Sequence, residues 1–219
     1  KPMIPAVPPL GTGAGSVYRS STWVGTGGHR SYNSLPQIGT SQDVWRDSGG
    51  EVVCTRAWWQ WWIKNRKQHD EPIFIDNFHV AVGDEILASV SVEAPLPGDV
   101  RFNLKNQRTG KIIAFKVRAP ADILPLGATA EWVHERPTHV EEIFPLPRCT
   151  DVVFNHCLAL NAPDFGALPH LQTLGDQCRL IRMTSNFGTP SRSAFISTPT
   201  QMGATGLRIT YEEAVPAVA

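Results

Sequence analysis

The sequence has little of what marks membrane or nucleic-acid-binding proteins. Its 219 residues carry 20 basic and 20 acidic side chains, so the net charge is zero, and there is no block of lysines and arginines. We therefore expect no nucleic acid and no membrane as a partner. No apolar run approaches the ~20 residues that cross a bilayer, and Lys1 does not open a signal peptide. We expect a soluble protein.

Cysteine is scarce, and the usual catalytic and metal-binding motifs are missing. The sequence contains four cysteines, Cys54, Cys149, Cys157 and Cys178. They form no C-x-x-C pair and allow three disulfide pairings, among which the sequence does not choose. His134 and His139 come closest to a metal-ligand spacing but have no thiolate near them in sequence, so we predict no metal site. There is no G-x-S-x-G elbow, no Walker lysine and no H-E-x-x-H.

Turn residues are frequent and separate short runs that favour strands. Glycine and proline contribute 18 residues each, which argues against long helices. Strand-like runs lie at 51–62, 72–80, 85–93, 99–104, 111–117, 128–134, 151–160, 179–184 and 207–211. Many short strands with loop-sized gaps are typical of an antiparallel β-sandwich or barrel. We predict one β-sandwich domain over residues 21–219, after an extended lead-in rich in proline and glycine over residues 1–20.

One predicted strand is unusually rich in tryptophan. The sequence RAWWQWWIKNRK, residues 56–67, sets four tryptophans around Gln60, and aromatic residues favour strands over helices. Alternation places Trp58, Gln60 and Trp62 on one face and Trp59 and Trp61 on the other. Two interpretations stay open: a ligand-facing aromatic surface, or a core strand of a tightly packed sandwich.

The segment AEWVHERP, residues 130–137, carries two carboxylates on one face of a predicted strand. Glu131 and Glu135 lie on that face, with Trp132 and His134 opposite. Four residues of strand separate the carboxylates by about 13 Å, more than the about 5–9.5 Å of a glycosidase pair. Taken alone, each glutamate is best explained as a solvated strand residue, and His134 as a structural histidine.

Six segments taken together resemble the eqolisin family of glutamic peptidases. In chain order they are TWVGTGG (22–28), LPQIG (35–39), AWWQWW (57–62), Gly83-Asp84, NQRTGK (106–111) and AEWVHE (130–135). Their order and approximate spacing follow the family's pattern over about residues 5–160. The resemblance implies an all-β fold, an antiparallel β-sandwich of two curved sheets of the concanavalin A-like, jelly-roll type.

The resemblance also implies an activity, that of a secreted acid endopeptidase with a polypeptide substrate and no cofactor. Matched residue by residue, the family's catalytic pair falls on Gln37 and Glu135. Glu135 would act as general base and acid toward a water molecule, and Gln37 would orient that water and stabilise the oxyanion. The substrate-binding residues implied by the match are Trp23, Trp58, Gln60 and Trp62.

Several positions depart from the family's pattern. Gly27 and Gln60 stand where the family has carboxylates, Arg56 replaces an acidic residue, and Trp62 replaces a tyrosine. We expect the neutral Gln60 to leave Glu135 titrating more nearly alone. Three functions stay open: a glutamic peptidase, a non-catalytic lectin-like or peptide-binding module, and a relative with different chemistry at the same pair.

The family's first strand has no counterpart ahead of Lys1. Either a separate N-terminal light chain or propeptide is a partner of this chain, or the chain belongs to a branch with a shorter sheet.

Overall fold

The protein is all-β. Among the residues described by the computed structural model, the only helical element is one 3-10 turn, Lys67–His69, and all strand pairs are antiparallel. No helix in these segments is long and apolar enough to span a membrane. The all-β antiparallel fold predicted from the sequence is confirmed. The described residues are 17–28, 33–69, 71–93, 98–139, 142–161, 170–175, 178–184 and 195–212.

Contacts divide the chain into two compact units, Lys1–Pro147 and Arg148–Ala219. The strands of the first unit are β1 (Tyr18–Thr26), β2 (Ser34–Asp47), β3 (Gly50–Ile63), β4 (Ile73–Phe74), β5 (Ile86–Val92), β6 (Asp99–Asn106), β7 (Ile112–Arg118), β8 (Ala130–Glu135), β9 (Thr138–His139) and β10 (Glu142–Ile143). They form a five-stranded sheet in the order β4-β3-β2-β1-β8, a three-stranded sheet in the order β5-β6-β7, and the pair β9-β10.

The two larger sheets of this unit pack face to face as a sandwich. Their shared core is formed by Ile38, Ala57, Trp61 and Ile63 of the five-stranded sheet and Val100, Phe102 and Leu104 of the three-stranded sheet. Trp59 packs against Phe102 and Phe115, with ring centroids 5.4 and 5.5 Å apart. Trp59 and Trp61 thus face the core, as the predicted alternation of this strand requires.

Two of the six motif segments are joined by hydrogen bonds at one end of the three-stranded sheet. Asp84, after the positive-φ Gly83, accepts a hydrogen bond from Nδ2 of the fully buried Asn106 (2.6 Å). Asn106 Oδ1 in turn accepts from the backbone N–H groups of Arg108 and Thr109 (2.9 and 3.1 Å). The Arg108 guanidinium pairs with Asp84 and holds the pKa of that carboxyl well below its usual range. The cluster ties the turn before β5 to the hairpin between β6 and β7.

The second unit contains a four-stranded sheet in the order β11-β16-β15-β14 and the separate pair β12-β13. Its strands are β11 (Val152–Phe154), β12 (Ala159–Asn161), β13 (His170–Gln172), β14 (Met183–Thr184), β15 (Phe195–Met202) and β16 (Gly206–Tyr211). The single strand predicted over 151–160 is therefore two strands, because His156 between them has a positive φ of 56°.

The structure describes only the end of the predicted lead-in, and it does not test the predicted single domain. Most of the predicted lead-in, residues 1–16, lies outside the described residues, and Tyr18 already begins β1. The single domain over 21–219 stays a prediction.

Candidate active site

The residues predicted for the site lie on one face of the five-stranded sheet, turned away from the core; we call it the site face. The strand register shows this directly, because residues paired across neighbouring strands share a face. Trp23 pairs with Gly39, which pairs with Trp58, and Gln37 pairs with Gln60. The site face carries Trp23, Gln37, Trp58, Gln60, Trp62, Glu131 and Glu135.

Gln37 and Glu135 share this face but do not touch. Gln37 pairs with Gly25 of β1, whereas Glu135 pairs with Ser21 of the same strand. The two residues are thus two strands and four residues apart, so their Cα atoms are separated by about 16 Å. Side chains stand roughly perpendicular to a sheet, so this separation is reduced only where the two side chains lean toward each other.

The indole of Trp23 lies between these two residues. Its Nε1–H donates to Glu135 Oε1 at 2.9 Å. A Cβ atom on Gly25 would come within 3.0 Å of the indole Cζ3 and 3.2 Å of Gln37 Cβ. A Cβ on Gly39 would lie 2.7 Å from Trp23 Cα, so only glycine fits there. Trp23, predicted from the family pattern as a substrate-binding residue, therefore also fixes the Glu135 carboxyl.

Burial sets the acidity of Glu135. It raises the pKa of the Glu135 carboxyl, the Trp23 hydrogen bond acts in the opposite direction, and the charge of Glu131 raises the pKa further. Glu131 is half-buried rather than solvated, and burial raises its pKa as well. Although Gln60 is neutral, Glu135 does not titrate independently of other carboxyls, because Glu131 lies four residues away on the same strand and face.

A chain of hydrogen bonds fixes the amide of Gln37. Gln60 Nε2 donates to the backbone carbonyl of His69 at 3.0 Å, which turns Gln60 Oε1 toward Gln37. Gln37 Nε2 donates to that oxygen at 2.7 Å. Gln37 Oε1 is buried and has no hydrogen-bond partner within the described segments. The amide therefore presents a free acceptor, as a group that holds a water molecule must.

His134 lies on the opposite face, toward the core. Its Nδ1 is 2.9 Å from the Thr22 hydroxyl oxygen, and burial lowers its pKa to about 4. This environment suits a neutral structural histidine, as the sequence analysis expects.

The described residues offer no candidate metal site. They contain no cluster of three histidine, cysteine or acidic side chains that could hold a metal ion. Cys54 and Cys157 are buried, and Cys149 and Cys178 are half-buried. Sequence reasoning missed the contribution of His69, because it acts through a backbone carbonyl and leaves no side-chain signature.

Comparison with known proteins places the chain in a family. The sequence matches the peptidase A4 family over residues 3–167. It matches none of the curated proteins.

Solved structures share the fold at low sequence identity. Aspergilloglutamic peptidase from Aspergillus niger aligns with a TM-score of 0.66 and 17% identity, over 89% of this chain and 99% of that one. Scytalido-glutamic peptidase, solved with a peptide-based transition-state analogue, gives 0.63 and 16%, over 91% and 88%. SCP-B, an eqolisin solved with the tripeptide Ala-Ile-His, gives 0.60 and 16%, over 91% and 88%. The fold agrees with the sequence match, and the chain belongs to the peptidase A4 family.

Proposed function

We propose that this chain is a glutamic endopeptidase in which Glu135 and Gln37 form the catalytic pair. One observation carries the proposal: a buried carboxyl and an amide with a free oxygen face the same surface on either side of Trp23. Family membership supports the same reaction class.

The proposed reaction follows from the atoms that each residue presents. A water molecule donates one proton to the Glu135 carboxylate while Gln37 Oε1 accepts its other hydrogen. The water oxygen attacks the peptide carbonyl carbon, and the second N–H of Gln37 Nε2 donates to the resulting oxyanion. Glu135 then gives its proton to the leaving amine as the C–N bond breaks. A carboxyl whose pKa is raised holds that proton well, which supports the acid step.

Trp58, Gln60 and Trp62 line the proposed substrate surface. Trp58 Nε1 is buried without a hydrogen-bond partner among the described residues, so a substrate carbonyl that reached it would satisfy this N–H. Two of the structural relatives hold peptide ligands, which supports a polypeptide substrate here. Members of the family are generally secreted, and we propose the same for this chain.

The Glu135→Gln variant tests the proposal. The substitution removes the only proton-transferring group of the pair while keeping an acceptor for Trp23, so turnover should fall by more than about 1000-fold with little change in thermal unfolding. The measurement is cleavage of a denatured protein across pH 2–8. Glu131→Gln is the matched control, which should retain turnover within about tenfold.

Two outcomes would contradict the proposal. Turnover of Glu135→Gln within tenfold of the parent protein would remove Glu135 from the catalytic pair. If the parent cleaves nothing at any pH yet binds peptides, the chain is a peptide-binding module instead.

A further inference from the structure

A second polar cluster lies on the site face, next to the proposed catalytic pair. Asp43 is held between two arginines: Arg56 Nη2 is 2.6 Å from Asp43 Oδ2, and Arg19 Nε is 3.4 Å from Asp43 Oδ1. The Asp43 side chain is only 3% exposed, and those of Arg19 and Arg56 are 20% and 23% exposed. Two guanidinium groups share one carboxylate, so the cluster carries an excess of one positive charge.

Aromatic rings hold both guanidinium groups in place. The Arg56 guanidinium lies 3.7 Å from the ring centroid of Phe74, and that of Arg19 lies 4.1 Å from the ring centroid of Phe144. Stacking of this kind fixes the plane of a guanidinium without using its N–H donors. The cluster is therefore ordered before any ligand arrives.

The cluster has unused hydrogen-bonding capacity. Across the described residues, Arg56 Nε and the Ser41 hydroxyl are buried and make no hydrogen bond. Arg19 Nε is also buried and faces Asp43 at 3.4 Å without hydrogen-bond geometry. Ser41 pairs directly with Arg56 in the strand register, so both side chains project from the same point of the site face. Buried donors without acceptors are costly, and an anionic acceptor is the ligand chemistry that would satisfy them.

One member of the cluster, Arg56, lines a cavity. A cavity of about 270 Å³ runs beside β3 and is lined by Arg56 and Phe74. The other charged or titratable groups that line it are Cys54, Asp76, His79 and Arg108. Arg108 is paired with Asp84 outside the cavity lining, so Arg56 remains the cation best placed for a ligand.

We propose that Arg19, Ser41 and Arg56 form a carboxylate-binding subsite for the polypeptide substrate. The proposal rests on the proposed peptidase function. Glu135, Ser21, Ser41 and Arg56 are successive register partners across β8, β1, β2 and β3. Three strand spacings put Arg56 about 14 Å from Glu135, which is the length of about four extended residues. The bound group is an Asp or Glu side chain within about four residues of the cleaved bond, or the C-terminal carboxylate of a short peptide.

Matched peptides test the subsite in the parent protein. One Glu is moved through the four positions on each side of the cleaved bond, and each peptide is paired with its Gln counterpart, as free acid and as C-terminal amide. At one position Glu should raise kcat/KM about tenfold or more over Gln, as expected for a hydrogen-bonded charge pair. If only the free acid gives the gain, the source is the chain end. The absence of any gain would overturn the subsite.

Variants assign the preference to the cluster. Arg56→Gln should bring the Glu and Gln peptides to within about twofold of each other, and Arg56→Lys should keep part of the preference because it keeps the charge. Arg118, which is 86% exposed on β7, provides the control variant Arg118→Gln, which should behave like the parent. A preference unchanged in Arg56→Gln would overturn the assignment.

A binding measurement separates this proposal from the proposed function. Dissociation constants of the same Glu and Gln peptides for the Glu135→Gln variant report the subsite without any cleavage. Equal constants together with intact cleavage by the parent would remove the subsite and leave the peptidase. A Glu preference in binding without cleavage by the parent would remove the peptidase and leave an anion-binding peptide site.

Discussion

At the scale of single residues, Gln60 determines which atom of the Gln37 amide is left without a hydrogen-bond partner. The backbone carbonyl of His69 can only accept, so Gln60 must present Nε2 to it and Oε1 to Gln37. Gln37 then has its nitrogen engaged and its oxygen free. Through this contact Gln60 would orient the amide that we propose as one half of the catalytic pair.

Two variants at position 60 test this positioning role. Gln60→Leu removes both hydrogen bonds and should lower kcat about 10- to 100-fold with little change in KM, because the Gln37 amide can then rotate. Gln60→Glu keeps the acceptor for Gln37 but can donate to His69 only when protonated. Its kcat should therefore be retained at acid pH and lost as the pH rises through the pKa of the new carboxyl. Superimposable pH profiles of Gln60→Glu and the parent would show that Gln60 does not orient Gln37.

At the scale of elements, β1 and β2 show what the pattern of the sequence could not predict. Neither strand is among the strand-like runs found in the sequence, and only the family resemblance pointed to them. The reason is that they bury small polar side chains, such as Ser20, Ser21, Thr40 and Ser41, so apolar alternation is absent. By contrast β3, β5, β6 and β7 alternate visibly and were predicted to within a few residues.

The hydrogen bonds that join Asp84 to Asn106 are expected to stabilise the fold. Asn106→Ala removes the donor to Asp84 and His79 and the acceptor for two backbone N–H groups. We expect the free energy of unfolding to fall by about 3 kcal/mol. Asn103→Ala is the matched control on the same strand, since among the described residues the half-buried Asn103 side chain makes one side-chain hydrogen bond, to Ser89. Urea denaturation measures both, and equal losses would mean that the Asn106 cluster adds nothing specific.

At the scale of the whole molecule, the buried His134 makes the fold sensitive to acid. A histidine pKa lowered from 6.5 to about 4 by burial means that the unfolded chain binds the proton and the folded chain does not. Stability should therefore decrease as the pH falls from about 6.5 to about 4, by about 3 kcal/mol in full. The expected loss of stability falls in the same acid pH range in which the family resemblance predicts activity.

His134→Asn isolates that contribution. Asparagine keeps a polar atom near Thr22 but does not titrate, so the decrease in melting temperature between pH 6.5 and pH 4 should become smaller than in the parent. His79→Asn, at an exposed position of the same unit, should leave the decrease unchanged. An identical decrease in His134→Asn and the parent would show that other groups govern the acid response.

The candidate site could be predicted in part from its motifs. Gln37, Glu135 and the tryptophans were found because they stand in short segments with a fixed spacing. The bond from Trp23 to Glu135 joins residues 112 positions apart, and the cluster of Arg19, Asp43 and Arg56 comes from three strands. Such contacts depend on strand register, which no local pattern encodes.

The contact of Trp23 with Gly25 and Gly39 has a consequence for inheritance. Gly39 cannot gain a side chain where the strands lie, and a side chain at Gly25 would force the indole or its neighbours to shift by a few tenths of an ångström. The three positions should therefore be kept or lost together along a lineage. None of the three transfers a proton. A descendant in which one nucleotide change removed Glu135 would still carry the same tryptophan-and-glycine signature. The tryptophan and the two glycines would therefore still identify a member of this lineage after its catalytic activity had been lost.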